Sequence, residues 1–377
     1  MEFEDLGLSE DLLRGIFGYG FERPSEIQRE AIPKILGKRD VIAQAHSGTG
    51  KTGAFTIASL ELVDPLNPRT QVVVLSPTRE LTEQTYEVCR GLSRHMKKVN
   101  VVLCMGGTPV RRDVEVFSRD PCHVVIATPG RFLQLLQKDV IRLSSLKLLV
   151  IDEADEMLKV GFQDQLVRVF RYLTKDAQIA IFSATMPPEA VEISRKFMND
   201  PVFVRVHHEQ LTLEGIKQFY INVVHEECKF ETLLDLYSKL CVSQAILFCN
   251  SKRKVNLLAE QLKAQGFTVG SIHSEMDMPT RNRVYQDFKR TATRILISTD
   301  ILSRGIDVQG VSFVVNYDLP ASRECYLHRI GRSGRYGRKG VAINLVTEGE
   351  LGDVRALERF YETQIEEMPV NIEQYLD

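Results

Sequence analysis

The segment "DVIAQAHSGTGKTGAF", residues 40–55, passes from a short apolar run through a glycine-rich turn into a helical pattern. The run ends in small residues, as strands buried on both faces of a parallel sheet do. In the turn, Gly48 and Gly50 let backbone N–H groups face phosphate oxygens, with Ser47 and Thr49 completing the loop. Lys51 supplies a cation for the β and γ phosphates, and Thr52 a hydroxyl for Mg²⁺. The helix that follows points its positive end at the same anion. Ala45 stands where the general pattern asks for glycine.

Outward from this segment, apolar runs alternate with helical patterns along the whole chain. "QVVVLSP", "VNVVLCMGG", "HVVIATPG", "LKLLVIDEAD" and "QIAIFSAT" read as further buried parallel strands, with ligand groups gathered at their carboxyl ends. "RELTEQTYEVCRGLSRHM" is helical. After Pro201, "VRVHHEQLTLEGIKQ" is polar without a core pattern and reads as a linker. A second series then follows: "FYINVV", "QAILFCN", "TVGSIHS", "RILISTD", "FVVNYDLP" and "GVAINLV". The expected fold is α/β, with two doubly wound parallel-sheet domains joined by a flexible linker: residues 1–207, linker 208–215, and residues 216–377. In the closing "LGDVRALERFYETQ", Leu351, Val354, Leu357, Phe360 and Tyr361 share helical spacing and predict a core-facing helix.

A chain of 377 residues exceeds what one core usually serves, which agrees with two domains. Its formal net charge of −2 gives no strong positive field, so any nucleic acid must be held by local basic surface. No apolar run is long enough to span a membrane, and the acidic, amphipathic start "MEFEDLGLSEDLL" reads as neither a signal nor a transit peptide. Cys89, Cys104, Cys122, Cys228, Cys241, Cys249 and Cys325 are scattered without a CxxC pair, which predicts neither zinc nor a disulfide framework. A reduced, intracellular setting follows, cytoplasmic with the nucleus as alternative.

Two further clusters carry chemistry. "VIDEAD", residues 150–155, ends a strand in adjacent carboxylates whose repulsion calls for a cation or a reaction. Asp152 suits the Mg²⁺ carboxylate, and Glu153 the group that orients and deprotonates a water. A solvated acidic turn is the plainer alternative. "HRIGRSGRYGRKG", residues 328–340, packs arginines among glycines far from the phosphate loop.

With "AHSGTGKT", "DEAD" and "HRIGRSGR" in this order, the sequence resembles the DEAD-box ATP-dependent RNA helicases, and within them the translation initiation factor 4A group. "GFERPSEIQ" (20–28), "PTREL" (77–81), "GG" (106–107), "TPGR" (128–131), "SAT" (183–185) and "STDILSRGID" (298–307) fit in family order. The resemblance implies two RecA-like domains that bind ATP and Mg²⁺, hydrolyse ATP to ADP and phosphate, and separate short RNA duplexes.

Residue by residue, the resemblance implies that Phe21 stacks on adenine, that Gln28 hydrogen-bonds its edge, and that Arg23 adds a contact. A side-chain amide suits adenine's adjacent donor and acceptor, although as residues alone Phe21 reads equally as a core aromatic. Ser183, Ala184 and Thr185, with Asp155 and His328, would couple the phosphate site to domain closure. Arg332 and Arg335 resemble arginine fingers that reach the γ-phosphate, with Gly305 and Asp307 meeting ribose and phosphate. Pro77, Thr78, Arg79, Gly106, Gly107, Thr128, Pro129, Gly130 and Arg131 would line the RNA path, continued by Asn250, Arg253, Arg281 and Thr299. Met278 departs from the family pattern, which places Gln there, and a Met side chain cannot make that amide's hydrogen bonds.

The expected partners are single-stranded RNA, short RNA duplexes and proteins that promote domain closure, with the chain itself a monomer. Two alternatives stay open. An ATP-gated RNA clamp, or a splicing or ribosome-assembly helicase, would share every motif. A nucleotide switch acting on proteins would need a different base-reading segment.

Overall fold

The computed structural model describes residues 1–45, 48–158, 162–186, 188–206, 216–239, 244–302, 311, 313–333 and 340–369. The chain forms two compact units, Met1–His207 and His208–Asp377. The expected linker, 208–215, lies outside the described residues.

In the first unit, strands β1 (Val41–Gln44), β2 (Val72–Leu75), β3 (Val101–Cys104), β4 (Val124–Ala127), β5 (Leu148–Ile151), β6 (Gln178–Ser183) and β7 (Val202–Arg205) form one sheet in the order β3-β4-β2-β5-β6-β1-β7. Every pairing is parallel. Alternate residues of one strand serve opposite cores: Val72 and Val74 pack on one face, Val73 and Leu75 on the other. That is why these strands read as unbroken apolar runs.

The second unit repeats the plan. Strands β8 (Ile216–Asn222), β9 (Ala245–Phe248), β10 (Val269–Ile272), β11 (Ile295–Ser298), β12 (Phe313–Asn316), β13 (Gly340–Val346) and β14 (Glu366–Glu367) form a parallel sheet in the order β10-β11-β9-β12-β13-β8-β14. Strand for strand, this is the order of the first sheet. Both sheets are flanked by helices, the architecture of two RecA-like domains.

Two expectations are corrected. The polar stretch 204–218 is not all linker: Val204 and Arg205 belong to β7, and Ile216, Lys217 and Gln218 open β8. β7 is an edge strand with Phe203 exposed and Val204 buried, so it lacks the continuous apolar signature of its neighbours. The closing helix spans Leu351–Tyr361 and buries Val354 and Leu357, but Phe360 is 51% exposed beneath the Arg323 guanidinium, 4.7 Å from its ring centroid. Helical spacing had grouped Phe360 with the core face. Among the described residues, no helix is long and apolar enough to cross a membrane.

Candidate active site

The turn after β1 runs into helix α3 (Lys51–Glu61), which follows α1 (Glu10–Tyr19) and α2 (Glu26–Leu36). Gly48 and Gly50 hold φ of 85° and 98°, the left-handed region that favours glycine. A Cβ on Gly50 would lie 2.7 Å from Ser25 Oγ and 2.9 Å from Gln28 Nε2, so the turn is closed by the start of α2. Lys51 and Thr52 are the first two residues of α3, with Lys51 buried and Thr52 half-buried. Ser47 lies outside the described residues.

Gln28 joins the segment 20–28 to this turn. Its Nε2 donates to the Gly50 carbonyl at 3.2 Å, and its Oε1 accepts from the Ser25 amide at 2.9 Å. Phe21 stands at the start of α3 as well: a Cβ on Gly53 would be 3.2 Å from its ring. The ring packs on Tyr19 and Phe3, at centroid distances of 5.5 and 6.4 Å. Arg23 is exposed, with Nε 3.7 Å from Glu2 Oε1.

Two strands away, β5 is followed directly by Asp152 and Glu153, both buried. Glu153 takes a left-handed backbone (φ 49°, ψ 53°), and its amide donates to Asp152 Oδ1 at 2.9 Å. Lys51 Nζ lies 3.8 Å from Glu153 Oε1. Burial, reinforced by the neighbouring Glu153 charge and only partly opposed by Lys51, pushes the Asp152 carboxyl up to about 7.

"SAT" and "DEAD" meet directly. The Asp155 amide donates to Ser183 Oγ at 3.1 Å, and Thr185 Oγ1 donates to Asp155 Oδ2 at 3.0 Å. From the other side, the Ala45 amide donates to the Ser183 carbonyl at 3.0 Å, and Gln44 Nε2 to that of Ala184 at 3.5 Å. The phosphate strand and the carboxylate turn are thus joined through one tripeptide.

Three more segments converge at neighbouring strand ends. Buried Pro77 precedes Thr78, which caps helix α4 (Arg79–Leu92) by accepting the Leu81 amide at 3.3 Å. The Arg79 guanidinium lies over Gly107 (φ 93°), where an added Cβ would come within 2.6 Å of Nη1, and beside Gly106. The Gly106 amide donates to Thr128 Oγ1 at 3.3 Å. Helix α5 spans Val110–Arg119, and Pro129 and Gly130 open helix α6 (Pro129–Gln137). Arg131 is turned inward instead: it pairs with buried Asp113 and donates to the carbonyl and, at 3.1 Å, the hydroxyl of Thr108.

In the second unit, Asn250 and Arg281 are likewise engaged internally. Asn250 Nδ2 donates to the Leu319 carbonyl at 2.7 Å, and its Oδ1 accepts from Arg329 Nη2 at 2.7 Å. Arg281 is buried and donates to the carbonyls of His273 and Ser274 at 3.3 and 3.0 Å. After α7 (Ala154–Met157), α8 (Gln163–Phe170) and α9 (Pro188–Phe197) of the first unit, helix α10 is Lys229–Lys239, α11 is Lys252–Ala264, α12 is Met278–Lys289, and α13 is Arg323–Ile330. Arg253, at the start of α11, is exposed, and Thr299, after β11, is half-buried. Past α13, Arg332 Nε donates to the His328 carbonyl at 3.0 Å. Gly305, Asp307 and Arg335 lie outside the described residues.

Sequence reasoning gave Arg329 and Asp318 no role. Arg329 is fully buried and donates to Asp300 Oδ1 (2.6 Å), the Asp318 carbonyl (2.7 Å) and Asn316 Oδ1 (3.3 Å) besides Asn250. The signal was its place between Tyr326 and Ile330, both buried, on the inward face of α13.

A parallel sheet with a two-glycine turn and a helix-first lysine at one strand end, and a buried carboxylate pair at another, defines a phosphate-loop nucleotide-binding protein. The chain belongs to the DEAD-box helicase family: residues 25–193 match the DEAD/DEAH box helicase family and residues 228–337 the helicase conserved C-terminal domain. It is 51% identical to eukaryotic initiation factor 4A of Drosophila melanogaster over 98% of this chain and 91% of that protein. It is 50% identical to the ATP-dependent RNA helicase eIF4A of Schizosaccharomyces pombe over 98% of this chain and 94% of that one. Its fold is similar to S. cerevisiae Dbp5 bound to RNA and ADP BeF3, with a TM-score of 0.91, 35% identity, and coverage of 99% and 97% of the two chains.

Proposed function

We propose that this chain is an ATP-dependent RNA helicase of translation initiation, which binds ATP and single-stranded RNA together, draws its two units closed on them, and locally separates short duplexes. The observation that carries the reading is the junction of Lys51, Glu153 and Asp155 with Ser183 and Thr185, which ties the phosphate site to a second set of side chains inside one unit.

In this reading Phe21 and Gln28 hold adenine, assisted by Arg23, while the amides from Ser47 to Thr52 cradle the phosphates and Lys51 neutralises them. Gly305, Asp307, Arg332 and Arg335 add the second unit's contacts to ribose and γ-phosphate. The residues fit a divalent cation. Asp152 and Glu153 crowd two buried carboxylates beside one ammonium, and a hard cation with oxygen ligands would offset the burial and the Glu153 charge that push Asp152 upward. Asp152 and the Thr52 hydroxyl would hold Mg²⁺, which supplies neutralisation of the phosphate charge. Glu153 orients and deprotonates the attacking water.

RNA is held through phosphates and 2′-hydroxyls, hence with little sequence preference. Arg79, the glycine pair and the α6 amino terminus with Thr128, Pro129 and Gly130 offer cations and backbone N–H groups. Arg253 and Thr299 continue the path. Arg131, Asn250 and Arg281 act on that path by shaping its loops, since their polar groups are engaged internally. The protein works as a monomer in the cytoplasm, with partners that favour closure.

The test is paired. RNA-stimulated ATP hydrolysis and ATP-dependent release of a short RNA duplex are both expected. ATP hydrolysis without duplex release would leave an RNA clamp, and absence of RNA stimulation would overturn the reading.

A further inference from the structure

We infer that Asp318 is a positioning residue for the RNA path of the second unit, an inference that rests on the RNA-dependent ATPase reading above. Asp318 follows β12, and its side chain is buried. Its Oδ2 accepts the backbone N–H of Asn250 at 2.9 Å. Its Oδ1 accepts from Lys254 Nζ at 2.6 Å and lies 3.5 Å from Lys229 Nζ. Its carbonyl accepts from Arg329 Nη1 at 2.7 Å. Glu226 bridges the same two lysines, at 2.8 and 2.6 Å.

Asn250 is therefore held twice. Asp318 takes its backbone, and Arg329 and the Leu319 carbonyl take its side chain. The next residue, Ser251, caps α11 by accepting the Lys254 amide at 3.2 Å. Because Lys254 is anchored on Asp318, the first turn of α11 has a fixed rotation, and that rotation leaves the adjacent Arg253 exposed to meet a phosphate. A buried carboxylate–ammonium cluster adds little net stability over an apolar one of equal volume. What it does fix is the place and direction of the turn at 249–253.

The test measures ATPase turnover against RNA concentration at saturating ATP. Asp318→Ala is expected to raise the RNA concentration for half-maximal activity about 10-fold, with turnover at saturating RNA changed less than about 2-fold. Asp318→Asn keeps an acceptor for the Asn250 amide and is expected to recover part of the loss. Lys254→Met, which keeps the side-chain length, is expected to raise the half-activating concentration about 3-fold. A wild-type half-activating concentration in folded Asp318→Ala overturns the inference, as does a fall in saturated turnover without that shift. Should Asp318→Ala fail to fold, wild-type half-activation in both Asp318→Asn and Lys254→Met overturns it. Absence of RNA stimulation in the unaltered chain removes the underlying reading, a result distinct from stimulated wild type with unshifted variants.

Discussion

Lys51 Nζ lies 3.8 Å from Glu153 Oε1, with each side chain only 6% exposed, so the site's cation and one of its carboxylates face each other inside the first unit. Removing either has a different consequence. Lys51→Ala takes the cation from the β and γ phosphates and is expected to abolish hydrolysis and weaken ATP binding. Glu153→Gln keeps the shape without the basicity, so ATP binding should persist while hydrolysis stops and RNA is retained longer. Nucleotide binding and single-turnover hydrolysis separate the two outcomes. Loss of ATP binding in Glu153→Gln would make Glu153 structural.

Thr185 is expected to matter for coupling more than for chemistry. Its hydroxyl donates to Asp155 Oδ2 at 3.0 Å rather than to either member of the Lys51–Glu153 pair. Thr185→Ala, which removes one hydrogen bond to a charged group, should leave RNA-stimulated hydrolysis within a few-fold of wild type while duplex release falls by about 10-fold. Parallel losses in both assays would place Thr185 with the chemistry instead.

The arginines past α13 should act on turnover. Arg332→Ala and Arg335→Ala are each expected to lower RNA-stimulated hydrolysis by ~10³ or more, the range that arginine fingers supply. Lysine should rescue poorly, because an ammonium lacks the planar two-pronged contact. Residues 1–207 alone should still bind ATP weakly, since Phe21, Gln28 and Lys51 all lie in that compact unit, yet hydrolyse almost none. Wild-type turnover in Arg335→Ala would reduce the glycine–arginine run to basic surface.

Met278 opens α12, at the position where the resemblance to the family implies Gln. Met278→Gln should tighten RNA binding by one hydrogen bond, about 0.5–1.5 kcal/mol, with ATP affinity in the absence of RNA unchanged. Titration at fixed salt checks this, and an unchanged affinity would route RNA elsewhere.

Acid should loosen the second unit through Asp318. Burial alone would raise its carboxyl, but the Asn250 amide and the Lys254 ammonium outweigh burial and hold it below the ordinary carboxylate value. The folded pKa is depressed, so its stabilisation is complete above the unfolded value near ~3.9 and is lost as pH falls through the folded one. Asp318→Asn should flatten the acid side of the melting-temperature curve and lower the plateau by a few degrees, at ~2–4 °C per kcal/mol. An acid limb as steep as wild type would assign the pH dependence to other carboxylates.

How far the sequence reads depends on whether the signal is local. "GVAINLV" matches β13 residue for residue because all seven residues are buried in an interior strand. β7 hides because an edge strand alternates, and Phe360 misleads because spacing marks a helix face without saying what covers it. The phosphate turn and carboxylate pair are contiguous and were legible. The inward commitment of Arg131 to Asp113, and of Asn250 to Arg329 and Asp318, was not, because those partners are chosen by the fold rather than by neighbourhood in the chain.

The placement of β1 between β6 and β7 has a consequence for synthesis on the ribosome. The strand that leads into the phosphate turn is made early, yet both its neighbours, Gln178–Ser183 and Val202–Arg205, emerge much later. Such distant pairing is slow and leaves the early strand with open edges. A growing chain that stops short of β6 therefore cannot seat the turn, and the Ser183 carbonyl that receives the Ala45 amide does not yet exist. Nucleotide capture can begin only when the first sheet is nearly finished, which makes ATP binding by stalled chains a direct reporter of its completion.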